Sequence, residues 1–238
     1  MDRPIILASA SPRRREFFEL LGLPLSVHPA DVDESPRQGE EPGVLVARLS
    51  ATKAAAVAQT IAETDHGANA ELPAGLEKGL VVAADTVVVL DEEILGKPRD
   101  AAHAKQMLEQ LRGQAHSVYS GVTVVEISSG RAAIHLSATT VWMREYSEAE
   151  VEDYVASGDS LDKAGAYAIQ HTGFRPVDRI EGCYSGVMGL PLGALADGLA
   201  YFDVTLPVDV AMVCRGRTGY PCCLEAESNS QSLDVREG

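Results

Sequence analysis

The pattern of apolar and polar positions predicts strands interleaved with helices. Ile5 to Ala8 is a short apolar run that reads as a buried strand, and it leads directly into Ser9-Ala10-Ser11-Pro12-Arg13-Arg14. Ser11 suits an N-cap and Pro12 the first helical position, with Phe17, Leu20 and Leu21 at helical spacing and Gly22 as a stop. A second helix is expected from about Val44 to Ile61, with Leu45 and Leu49 inward and Lys53 partway along. Thr64 to Gly79 is polar, carries Gly and Pro, and reads as a surface loop.

Leu80-Val81-Val82-Ala83-Ala84 is continuous apolar sequence, the mark of a strand covered on both faces. It reaches Asp85-Thr86 and resumes through Val87 to Leu90, before a turn at Asp91-Glu92-Glu93 and a loop at Gly96-Lys97-Pro98-Arg99. Asp100 is placed to cap a helix bearing Ala104, Met107, Leu108 and Leu111, closed by Gly113. Strands are expected over His116 to Ile127 and Ala132 to Met143, about a turn at Ser128-Ser129-Gly130. Ser147-Glu148-Ala149-Glu150 is a capping box opening a helix through Val155. A further strand near Val177 to Ile180 and a helix over Leu192 to Tyr201 complete an α/β reading with a mixed sheet. From Asp209 the periodicity fades, and Glu225 to Gly238 is polar enough to be a disordered tail.

The length of 238 residues suffices for one generous domain or two small ones. No run approaches the roughly 18 apolar residues of a membrane-spanning helix, and the opening apolar segment is too short for a secretory signal. A cytoplasmic location is the expectation, with no membrane partner. The four cysteines (Cys183, Cys214, Cys222, Cys223) form no CxxC pair and have no interleaved histidines, so free thiols are expected rather than a zinc site.

A formal net charge of −15 argues against nucleic acid as a partner, because such a surface repels a polyphosphate backbone. It also makes a local cluster of cations informative. Arg13 and Arg14 stand at a helix start, where cations are unfavourable unless an anion lies there. With the hydroxyls of Ser9 and Ser11 they make a candidate phosphate trap, since arginine grips phosphate oxygens in pairs. The plainer alternative is a capped surface helix with solvated arginines.

Asp85 is a carboxylate inside an apolar strand run, costly unless it is hydrogen-bonded, metal-bound or catalytic. Glu34, beside Asp33, is a second carboxylate that could share a divalent cation with it, although acidic pairs are common in a chain with 35 acids. Lys53 and Lys97 are weaker signals in isolation, Lys97 gaining from its constrained Gly-Lys-Pro loop. No Walker or Rossmann glycine pattern occurs, and no Gly-x-Ser-x-Gly elbow.

Together these segments resemble the Maf family of nucleoside triphosphate pyrophosphatases. The resemblance rests on Leu7 to Arg14, Ala84-Asp85-Thr86, Gly96-Lys97-Pro98, Asp162 to Tyr167 with Ile169-Gln170, and Gly189-Leu190-Pro191-Leu192, in the family's order and over about residues 4 to 203. It implies an elongated fold akin to the inosine triphosphate pyrophosphatases, with a central substrate cleft, and a reaction dependent on Mg²⁺ or Mn²⁺. It implies Asp85 as proton acceptor, Glu34 as a carboxylate near the metal, and Arg13, Lys53 and Lys97 as phosphate contacts.

Ser-Pro-Arg-Arg, Asp-Thr and Ala-Tyr-x-Ile-Gln match the branch that prefers dTTP and UTP, with Arg13, Thr86 and Gln170 at the marker positions. The branch acting on 7-methyl-guanosine triphosphate resembles Ser-Pro-Trp-Arg and Asp-Gln instead. Thr86 and Gln170 would then read the pyrimidine. Two other readings stay open: a nucleotide-binding regulator of cell division without significant catalysis, and a house-cleaning hydrolase of other non-standard nucleotides. A homodimer is implied as well. The catalytic domain is expected over residues 1–205. Residues 206–238 form an extension with no family counterpart, expected to be partly disordered, and the loop from Thr64 to Gly79 is longer than the family's.

Overall fold

The structure is a computed structural model and describes residues 3–65 and 75–225. Among the described residues a seven-stranded mixed sheet runs in the order β2-β1-β3-β5-β6-β7, with β4 also beside β3. The strands are β1 (Ile5–Leu7), β2 (Leu25–Val27), β3 (Leu80–Leu90), β4 (Glu93–Leu95), β5 (Ala115–Glu126), β6 (Ala132–Met143) and β7 (Val177–Glu181). The helices are α1 (Pro12–Leu20), α2 (Pro42–Asp65), α3 (Ala101–Leu111), α4 (Glu148–Ala156), α5 (Tyr184–Val187), α6 (Leu192–Ala200) and α7 (Val210–Thr218). β1 is parallel to β2 and β3, and the later pairings are antiparallel.

Strand alternation divides the core. Leu80, Val82 and Ala84 of β3 point to one face, where they join Phe17 and Phe18 of α1 and Leu195 and Leu199 of α6. Val88, of the same parity, joins Met107 and Leu108 of α3 and Val151 and Tyr154 of α4. That face therefore carries two apolar clusters, with Thr86 between them. On the opposite face Val81 and Ala83 meet Ala54, Val57 and Ile61 of α2, and Val87 meets Leu45 and Leu49 nearer its start. α2 lies close against β5: a Cβ on Gly121 would fall 2.6 Å from the carbonyl oxygen of Val46, so only glycine permits the approach.

One edge of β3 is occupied discontinuously. β1 pairs with residues Leu80 to Val82 and β4 with Val88 to Leu90, so neither reaches the stretch from Ala83 to Val87. Asp85 and Thr86 sit in this interval, on opposite faces of the strand.

Several elements differ from the sequence expectation. α2 extends beyond Val44 and Ile61 at both ends, and Leu76–Lys78 form a short 3-10 turn inside the stretch expected to be loop, while residues 66–74 lie outside the described residues. On α1 the inward positions are Phe17, Phe18 and Leu21; Leu20 is 42% exposed, because the helix turns it away from the sheet. Ser11 stands at the N-cap, yet its side chain makes no capping bond, and its own amide donates to Ser9 Oγ instead. Glu93 belongs to β4 rather than to the turn, which is made by Asp91 and Glu92 at positive φ.

Where periodicity fades, α7 forms, capped by Asp209, whose carboxylate accepts from the amides of Ala211 and Met212. Its Cys214 and the following Cys222 are buried in the same cluster as α1 and α6. The expected disordered tail from Glu225 to Gly238 falls almost wholly outside the described residues. All four cysteines are free thiols. Among the described residues no helix is long and apolar enough to cross a membrane.

Candidate active site

At the interval in β3 a cleft of about 620 Å³ opens, and its lining contains every residue singled out from the sequence: Ser9, Ser11, Arg13, Arg14, Glu34, Lys53, Asp85, Thr86, Lys97 and Gln170. They come from six separate parts of the chain, Glu34 from the segment between β2 and α2. The β1–α1 turn supplies the serines and arginines, and α2 supplies Lys53 by continuing the Leu45–Leu49 stripe one helical step further. β3 brings Asp85 and Thr86. The Gly96-Lys97 loop and the segment from Asp162 to Gln170 form the far wall, joined by a hydrogen bond from the Gly165 amide to the Gly96 carbonyl at 3.1 Å.

Gly165 sits at φ +68 with Val88 packed against it: a Cβ there would meet both Val88 methyl carbons at 3.1 Å. The position needs glycine for both reasons.

The cleft is positive in a negative chain. Arg13, Arg14, Lys53, Lys97 and Lys163 line it against Glu34, Asp85 and Asp162, an excess of two positive charges where the chain as a whole carries −15. Such an imbalance in a partly enclosed space attracts a polyanion.

Lys53 Nζ is 2.6 Å from Asp85 Oδ1 and 2.7 Å from Glu34 Oε1, so one ammonium bridges the two carboxylates. Asp85 and Lys53 are 6% and 7% exposed, whereas the Glu34 side chain is about half exposed at the rim. Burial pushes the Asp85 carboxyl above the ordinary carboxylate range, against the pull of Lys53 and Arg14. Burial also acts upward on Glu34, but the hydrogen bond and charge of Lys53, with Lys97 and Arg14 beyond, bring it below that range. Asp33 is exposed, does not line the cleft, and accepts from the Ser35 amide.

Arg14 is oriented by two bonds, Nε to the Gly189 carbonyl at 2.8 Å and Nη1 to Ser9 Oγ at 3.2 Å. Burial lowers its pKa, and Asp85 partly restores it. Arg13 reaches Asp162 Oδ2 at 3.4 Å and Lys97 is exposed at the mouth. Thr86 Oγ1 is 2.7 Å from Ser120 Oγ on β5.

The profile of the Maf-like protein family matches residues 4–202 of the sequence. The chain belongs to the Maf family. Among curated relatives, the dTTP/UTP pyrophosphatase of Nitratidesulfovibrio vulgaris is 48% identical over 194 residues, covering 81% of this chain and 84% of the relative. Those of Moorella thermoacetica and Desulforamulus reducens are 43% identical over 200 residues and 41% over 204, covering 84% and 86% of this chain and 95% and 99% of the relatives.

The Maf cleft also contains residues that sequence reasoning gave no role. Lys163 is buried and held by the Asp159 carbonyl and by the carboxylates of Asp159 and Asp162, at 2.9 and 2.6 Å. Asp162 thereby ties Lys163 to Arg13 across the cleft; burial acts upward on its pKa, but Lys163 and Arg13 bring it down. Ser120, 1% exposed, lies behind Thr86. Its signal was present in the sequence: a hydroxyl in phase with Val118, Val122 and Val124, set between apolar neighbours on that face of β5.

Proposed function

We propose that this Maf chain hydrolyses dTTP and UTP to the monophosphate and pyrophosphate. The observation that carries the reading is the convergence of separate cations on one cleft beside the buried Lys53–Asp85 pair. The relatives' names support the substrate class.

In this reading Arg13, Arg14, Lys53 and Lys97, with the hydroxyls of Ser9 and Ser11, hold the phosphate chain and neutralise charge on the departing pyrophosphate, the larger share of catalysis in phosphoryl chemistry. Asp85 orients a water and takes its proton as the oxygen bonds to the α-phosphorus, and the bond from that phosphorus to the bridging oxygen breaks. Burial raises the proton affinity of Asp85 in the useful direction. Thr86 and Gln170 read the base; the amide offers both a donor and an acceptor, as a uracil or thymine edge requires.

A divalent cation, Mg²⁺ or Mn²⁺, fits this site with Glu34 and Asp85 as its protein ligands. The two carboxylates already converge on one positive charge, that of Lys53. No group of three or more acidic, histidine or cysteine ligands occurs among the described residues, and Mg²⁺ is commonly held by one or two carboxylates with substrate phosphates and water. When bound, such a cation would supply charge neutralisation and lower the pKa of a coordinated water below that of bulk water.

The same reading includes a fold akin to the inosine triphosphate pyrophosphatases, a cytoplasmic homodimer, a catalytic domain over residues 1–205 and an extension over 206–238. A panel of UTP, dTTP, CTP, ATP, GTP and ITP with Mg²⁺, assayed for pyrophosphate, tests the function. Release chiefly from UTP and dTTP is expected. No release, or a preference for purines, would overturn it.

A further inference from the structure

We infer that Ser120 is a positioning residue that turns Thr86 into an acceptor toward the base and thereby selects uracil and thymine over cytosine. The inference rests on the functional reading above and names what makes the site discriminate. Thr86 and Ser120 are directly paired across β3 and β5, in the interval between the two apolar clusters on that face. Ser120 Oγ is 2.8 Å from the Gly186 carbonyl oxygen and 2.7 Å from Thr86 Oγ1.

A serine hydroxyl has a single proton, and a carbonyl oxygen only accepts. The Ser120 proton therefore goes to Gly186, and the contact with Thr86 requires Thr86 to be the donor. Both hydroxyl protons point away from the cleft. What Thr86 Oγ1 presents to a ligand is lone pairs.

The acceptor of this relay is itself fixed. The Gly186 carbonyl also accepts from the Gly189 amide at 2.9 Å, and the Gly186 amide donates to Cys183 Sγ at 3.3 Å. The turn that sets the polarity of Thr86 is thus the turn whose Gly189 carbonyl orients Arg14. Uracil and thymine carry a proton on N3, which an acceptor-only Thr86 satisfies. Cytosine has a bare lone pair at N3, and two facing acceptors repel. A hydroxyl free to rotate would take either base; this one is not free to rotate.

The test is kcat/KM for UTP and CTP in the wild type and in Ser120→Ala, with melting temperature recorded for both. The variant is expected to narrow the UTP-to-CTP ratio roughly tenfold, mainly through KM, because Thr86 can then donate to cytosine N3. Ser120→Cys, which keeps a weak donor of similar size, should restore part of the ratio and serves if the alanine variant fails to fold. In the wild type, UTP methylated at N3 should lose roughly tenfold or more in kcat/KM. An unchanged ratio in the variants, with both rates falling in parallel, would overturn the inference and leave Ser120 a packing residue. A wild type inert on UTP would instead overturn the functional reading, and this inference with it.

Discussion

Lys53 Nζ lies 2.6 Å from Asp85 Oδ1, a contact between a helix and a strand separated by 32 positions in sequence. Neither charge is tolerable alone at that depth. The pair fixes α2 against the open interval of β3 and holds a carboxylate poised at the floor of a cleft rich in cations.

Replacing Asp85 by Asn keeps the shape and removes the proton acceptor. Turnover should fall by at least about 10³-fold while nucleotide binding, followed by calorimetry, survives. Near-normal pyrophosphate release from this variant would remove Asp85 from the mechanism.

Lys53→Met should cost about 3 kcal/mol of stability in urea unfolding, because it leaves the Asp85 carboxylate buried without its partner. Combining it with Asp85→Asn should recover much of that loss. Additive losses would show that the contact contributes nothing beyond its two separate side chains.

His116, 3% exposed, sits on β5 with its Nε2 2.8 Å from the Tyr167 hydroxyl, and burial lowers its pKa to about 4. The folded state therefore resists a proton that the unfolded chain accepts below about pH 6.5. Stability should decline as pH falls from about 6.5 toward 4 and level off below it, an effect of order 3 kcal/mol. His116→Gln should flatten that part of the profile in denaturant titrations at stepped pH; an unaltered slope would acquit the histidine.

Gly165→Ala places a side chain at φ +68 and against Val88. A loss of at least about 1 kcal/mol is expected, with a rise in KM as the wall from Asp162 to Gln170 shifts. Unchanged stability and KM would mean that this wall has slack.

Deleting residues 206–238 removes α7 and uncovers the cluster that buries Cys214 and Cys222. The melting temperature should fall, at a cost of at least about 2 kcal/mol. A truncated protein as stable as the full chain would make the extension an ornament on a self-sufficient domain.

Much of this was legible from residues 80 to 90, because a strand covered on both faces leaves an unbroken apolar run and a carboxylate within it stands out. β2 and β4 were not, since three residues are too few to display a period and their pairing comes from neighbours distant in sequence. α7 escaped because its only fully buried side chain is Cys214, so no stripe exists to read, although Asp209 and Gly219 marked its ends. The site residues were legible as types but not as partners. That Lys53 bridges Asp85 and Glu34, that Asp162 ties Arg13 to Lys163, and that Ser120 stands behind Thr86 are facts of the sheet register and the packing of α2.

The bond that breaks is the most direct test of the whole account. UTP cleaved with Mg²⁺ in water enriched in oxygen-18 should give UMP carrying one labelled oxygen and unlabelled pyrophosphate. Label in the pyrophosphate, or UDP and orthophosphate as products, would contradict attack at the α-phosphorus and with it the roles assigned to Asp85 and the surrounding cations.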